Sequence, residues 1–288
     1  MVFTSFCAVG LWHTGVQMGN LAFKYSGEGK IFGRLVESRA HGVFSQAGLL
    51  GWVIEPGDMR SFSQMPFGQR MHEIKIGEFQ ARKLYMEVTG KYRYEAYQSQ
   101  TGLQAVIYYY LDKIYHDPLI LRVSCVSFLA IVLVCWLNFV WCSFGIWPAF
   151  VSALGILSSP FLSETGDNVA HVVGAHYLVL VVMFWAYHKR IARLAAVAFS
   201  VVLLKLLLNG PEFLFDVLLL PFVSLVYYAI LRQMPWSKIR HDACQLAIGV
   251  IAASVVAFSV VALQIIIVTQ SLQAPFAHFV ERSSSEHL

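Results

Sequence analysis

Charge is scarce in this sequence. Only 13% of its 288 residues are Asp, Glu, Lys or Arg, and 57% are hydrophobic. Soluble domains carry about 25% charged residues, and half of that does not cover a water-facing surface. Disorder is excluded as well, because it needs low hydrophobicity and high net charge. The five cysteines, Cys7, Cys125, Cys135, Cys142 and Cys244, all fall in apolar stretches, and no C-x-x-C pair occurs. A disulfide framework or thiolate metal site is therefore not expected, and the cysteines read as small buried hydrophobes. Neither H-E-x-x-H nor G-x-S-x-G occurs, which argues against the corresponding protease and hydrolase chemistries. There is no Asn-x-Ser/Thr sequon, no internal repeat and no low-complexity tract.

What is present are long uncharged runs. A membrane-crossing helix needs about 20 apolar residues. The run from Val123 to Ser163 is long enough for two, with a turn around Ser143–Pro148. Further candidates are Asn168–His188, Ala192–Leu208 (interrupted by Lys205), Phe213–Leu231 and Ala243–Gln270. Residues 1–23 are uncharged but soft, and read as a first span rather than a cleavable leader. The expected fold is an all-α, polytopic transmembrane bundle of about seven spans. Its divisions are 1–23 as the first span, 24–119 as an exoplasmic insert, 120–270 as a six-helix bundle and 271–288 as an exoplasmic tail.

Orientation follows from the short loops. Lys189, Arg190 and Arg193 follow one span, and Arg232, Lys238 and Arg240 follow another; the alternate loops carry Glu164, Asp167 and Glu212 and no cation. Basic loops stay on the cytoplasmic side, so the insert and the acidic loop at 161–168 belong outside, on a plasma (inner) membrane. The insert holds 13 of the 21 Lys+Arg and 10 of the 17 Asp+Glu over residues 24–122. The net charge of +4 thus averages a polar insert and an apolar bundle, and implies no nucleic-acid partner. Within the insert, Ile31, Leu35 and Val43 form an apolar stripe over Glu28–Phe44. Leu103–Tyr115 repeats apolar residues at helical spacing and is rich in tyrosine, as in a helix lying at a membrane interface. Asp117-Pro118 closes it.

One span, a long outer loop with two interfacial helices, and a bundle with a short acidic outer loop: this layout resembles the conserved module of GT-C membrane glycosyltransferases. The stretch Glu28-Gly29-Lys30-Ile31-Phe32-Gly33-Arg34-Leu35 is similar to the acidic-Gly-x-x-aromatic-x-Arg entry of that superfamily. Tyr94–Gln104 looks like the start of its second interfacial helix. The sequence departs in having Glu28 where an Asp is usual, and fewer spans. The resemblance implies transfer of a sugar from a polyprenyl-phosphate donor to an exoplasmic glycan or lipid acceptor. It implies a carboxylate as general base and a cation on the leaving phosphate. No organic cofactor is implied, although a divalent cation fits the same chemistry.

The candidate catalytic residues are Glu28, Asp167, Glu164 and Asp58, each with a plain alternative. Glu28 can be a helix-start carboxylate favoured by the dipole, Asp167 a helix cap, and Asp58 a turn residue. The candidate phosphate-binding residues are Lys205, Arg34 and Arg39. Lys205 is costly in an apolar run unless it snorkels outward, and the arginines suit lipid headgroups equally well. His171 and His176 lie about 140° apart on a helix, so no metal site is expected. Gly10, Gly15 and Gly19 read as helix-packing positions. The competing class is a non-catalytic subunit or carrier in a larger cell-envelope assembly.

Overall fold

The computed structural model describes residues 27–45, 49–54, 83–86, 92–97, 100–159, 162, 166–210, 214–277 and 280. The first span expected over residues 1–23 lies outside the described residues. The chain is mostly helical with little sheet. Helix α1 (Glu28–His41) opens on Gly27, whose φ of 87° lets the chain enter, and closes on Gly42 at φ 89°. Strands β1 (Gly51–Ile54) and β2 (Arg93–Ala96) pair antiparallel, with Gly51 opposite Ala96 and Ile54 opposite Arg93. Helix α2 (Gln104–Tyr115) follows. Asp117 then caps α3 (Pro118–Phe144), accepting from the Leu119 N–H at 2.8 Å with proline in the first turn.

Gly145, at φ 93°, breaks the apolar run into α3 and α4 (Ile146–Leu157). The remaining helices are α5 (Gly174–His188), α6 (Leu194–Asn209), α7 (Leu214–Leu231) and α8 (Trp236–Thr269). At 1.5 Å per residue, α3 is roughly 40 Å long and α8 roughly 50 Å. These two are long and apolar enough to cross a membrane, and only 33% and 28% of their apolar windows are buried in the chain. A core helix of a soluble protein would be mostly covered. Here Ile131 and Trp141 of α3, Ile248, Ile251 and Leu263 of α8, and every residue of α4 lie at least partly open.

Two cores organise the molecule. The larger lies between α5, α6, α7 and α8 and contains Met183, Val202, Val217, Leu246 and Ala253. Gly249 brings α8 against α6 so closely that a Cβ there would stand 2.4 Å from the Ala195 carbonyl. The second core joins Ile31, Phe32 and Leu35 of α1, Val53 of β1 and Tyr108 of α2 to Leu121 and Cys125 of α3 and to Val169 and Ala170. The described part of the region expected as an insert therefore packs onto one end of the bundle. Gly33 makes this possible: its Cα faces β1 so closely that a Cβ would lie 2.3 Å from the Gly51 carbonyl.

Three features differ from the sequence reading. The β1–β2 pair was not expected. The stripe over Glu28–Phe44 stops as helix at His41. The run expected to be helical from Asn168 begins its helix only at Gly174. The physical reason for the last is local: the Asn168 side chain accepts from the Ala170 and His171 N–H groups at 2.8 and 3.2 Å, an alternative to helix for the backbone. Asn209 then holds Val172 by both backbone groups, accepting from its N–H at 2.9 Å and donating to its carbonyl at 3.0 Å.

Candidate functional site

Glu28 is the first residue of α1, and its side chain is buried against α3 and Val169, 3% exposed. Arg122, in the second turn of α3, donates to Glu28 Oε2 at 2.7 Å, and the Val169 N–H donates to Oε1 at 3.4 Å. Burial pushes the Glu28 carboxyl up to about 7; the guanidinium and the Val169 N–H pull it down, and the charge of Asp167 adds to the rise. The two carboxylates thus sense each other although 138 positions separate them in the chain. Asp167 is itself 4% exposed. Gln104 of α2 donates to the Ala170 carbonyl at 3.3 Å and fixes the segment that carries Asp167.

Basic side chains lie near this pair. A Cβ on Gly27 would lie 3.9 Å from both His171 Nε2 and Lys30 Nζ, so those two groups flank the start of α1. Lys30 Nζ also sits 3.7 Å over the Tyr97 ring. His176 lies within electrostatic range of His171 and of Lys205. Lys205 is fully buried near the end of α6 and donates to the Gly210 carbonyl at 3.2 Å, reaching toward the negative end of its own helix. The region that carries β2 meets the same helix end: Thr101 Oγ1 and the Leu103 N–H both donate to the Leu207 carbonyl, at 2.7 and 3.0 Å. Lys205, His176 and His171 thus stand near one another at the end of the bundle that carries Glu28 and Asp167.

The two other cations expected at a phosphate stand elsewhere. Arg34 is fully buried and donates from Nε and Nη2 to the Val43 carbonyl at 3.1 and 2.7 Å, and from Nη2 to Ser45 O at 2.5 Å. Arg39 makes a bidentate pair with Asp112 at 2.8 Å on each arm and donates to the Tyr85 carbonyl at 2.9 Å. Both guanidiniums are engaged inside the fold, and charged donors held by buried acceptors are costly to withdraw. Asp58 and Glu164 lie outside the described residues.

Arg122, the partner of Glu28, was not singled out in the sequence reading. It was counted as the last charge of the insert, yet it is also the charge that precedes the Val123–Ser163 run, at the end of α3 nearest Glu28. That position was the available signal. Among the described residues no group of three His, Cys, Asp or Glu is placed to hold a metal ion, and Arg122 already neutralises Glu28. What the arrangement can do is accept a proton near neutral pH at Glu28, beside a second carboxylate and the Arg122 guanidinium. No protein-family model, curated protein or solved structure matches this chain.

Proposed function

We propose that the chain is a multi-pass membrane protein of about seven spans that transfers a sugar from a polyprenyl-phosphate donor to an exoplasmic acceptor. In this reading residues 24–119 and the 161–168 loop face the exoplasm, and residues 271–288 form an exoplasmic tail. Three things support the membrane part: the length of α3 and α8, their open apolar sides, and the grouping of both basic turns at the end opposite Glu28. The catalytic part rests on one observation, the meeting of Glu28 and Asp167 at the end of the bundle that also holds Arg122 and Lys205.

The proposed step is an inverting displacement. Glu28 takes the proton of the acceptor hydroxyl as its oxygen attacks the anomeric carbon. The new C–O bond forms while the bond from that carbon to the phosphate oxygen breaks. Polyprenyl phosphate leaves with the bonding electrons, and Lys205 meets its charge. Asp167 orients the acceptor. Arg122 holds Glu28 in place and keeps part of it ionised against burial.

A second reading, a non-catalytic subunit of a cell-envelope assembly, is favoured by a specific fact: Arg122 and the Val169 N–H already engage both oxygens of Glu28. Purified protein assayed with a panel of polyprenyl-phosphate sugars separates the two. Transfer that is lost in Glu28→Gln with donor affinity retained, and a raised donor KM in Lys205→Met, supports the transferase. Absence of transfer with every donor supports the subunit.

A further inference from the structure

The end of the bundle away from Glu28 is built differently and has no part in that reaction. Helices α5 and α7 finish there in the same closure. After α5, the Ile191 N–H donates to the Ala186 carbonyl at 3.0 Å and the Arg190 N–H to the Tyr187 carbonyl at 3.1 Å, with Arg190 left-handed at φ 55°. After α7, the Met234 N–H donates to the Ala229 carbonyl at 3.0 Å and the Gln233 N–H to the Ile230 carbonyl at 3.3 Å, with Gln233 at φ 47°. This pattern satisfies the last helical carbonyls internally and fixes the turn that follows. Arg232 spans the two turns, its Nη2 3.5 Å from the His188 carbonyl and its guanidinium 4.5 Å over the Tyr228 ring.

The charge carried on this frame is one-sided. Residues 188–193 and 232–242 hold Lys189, Arg190, Arg193, Arg232, Lys238 and Arg240 against one carboxylate, Asp242. Asp242 is 2% exposed and paired with Lys238 at 2.5 Å. Lys189, Arg190 and Arg193 are exposed. Just inside the turns, large apolar side chains are also open: Trp185 is 53% exposed and Ile230 74%. A free phosphate or a nucleic acid would satisfy the cations and leave these side chains in water. A molecule with an anionic head and apolar tails satisfies both.

We propose that this face binds the headgroup of an anionic phospholipid, with its phosphate between the Arg190 and Arg232 turns and its chains along the open apolar sides of α5 and α7. The proposal rests on the membrane reading above, but not on the transferase chemistry. The test reconstitutes the full chain in phosphatidylcholine vesicles and compares the association of spin-labelled phosphatidylglycerol with that of spin-labelled phosphatidylcholine. Phosphatidylglycerol should be preferred, and the preference should shrink with added salt. Each cation removed at the surface should reduce it by roughly fivefold, the equivalent of about 1 kcal/mol. Arg190→Gln and Arg193→Gln alter exposed side chains and keep the test clear of folding; Arg232→Gln adds the residue that bridges the turns. Inorganic phosphate should not displace the lipid. Equal association of the two lipids with inserted protein, an unchanged preference in the arginine variants, or displacement by inorganic phosphate would each overturn the proposal. Failure of the chain to insert would overturn the membrane reading and this inference with it.

Discussion

The two ends of the bundle treat their cations in opposite ways. At one end Arg122 and Lys205 are 13% and 0% exposed, and each is committed to a named acceptor within the fold. At the other, Lys189, Arg190 and Arg193 stand open beside the turn after α5, and Arg240 stands open near the start of α8. Burial raises the interaction energy of each charge and also the cost of leaving it unpaired. In the proposed reading the first end does chemistry at a few atoms, and the second meets a diffuse, exchangeable partner. A count of Lys and Arg in the loops does not separate these uses.

The sharpest way to break the comparison is topological. With native cysteines removed, Ser61→Cys and Ser237→Cys should react with an impermeant thiol reagent from opposite sides of a sealed vesicle. Labelling from the same side would end the assignment of the ends to opposite faces. Next in size is catalysis. General-base assistance is worth about 10²–10⁴-fold, so Glu28→Gln should lower turnover by that order in a single-turnover assay. The rate should rise as pH passes through about 7, where Glu28 becomes ionised, and this limb should vanish in the variant.

The same titration carries an opposite effect on stability. The native Glu28 carboxyl keeps its proton up to about 7, whereas the unfolded chain releases it near 4.5. The contribution is complete below the lower value and is lost as pH rises through the upper one. Wild-type protein should therefore lose stability relative to Glu28→Gln as pH rises from about 4.5 through about 7 and hold level above that, measured by thermal unfolding in detergent. A widening advantage for wild type over that interval would refute the raised titration.

Removal of single cations should then separate the ends. Arg122→Leu leaves the buried Glu28 carboxylate without its partner and should cost about 3–5 kcal/mol. Arg240→Gln, at the open end, should stay within about 0.5 kcal/mol of wild type. Equal costs would show that the ends do not differ as described. Between these lies Gly249→Ala, whose Cβ meets the Ala195 carbonyl and should cost about 1–3 kcal/mol by forcing α6 and α8 apart.

Much of this arrangement was legible in the sequence, for reasons that can be named. The uncharged runs located the helices of the bundle, and the apolar stripes located α1 and α2. Glu28, Asp167 and Lys205 stood out because a charge beside or within an apolar run has few places to go. Arg122 did not stand out, since the same residue also closes a highly charged region. The β1–β2 pair was hidden because its four-residue strands are separated by residues 55–92 and no tight turn joins them. The late start of α5 depends on which backbone groups Asn168 and Asn209 reach, and side-chain amides placed 41 positions apart give no periodic signal.

The Asn209 amide grips Val172 as a neighbouring strand would, by N–H and carbonyl together. Any movement that parts the end of α6 from the segment bearing Asp167 must break both bonds at once. The Val172 amide proton is thus a gauge of that gap. Its exchange with deuterium should be slow in the resting protein and should quicken only when the acidic segment lifts away from α6, so one proton reports the opening of the site without a label, a ligand or an assay.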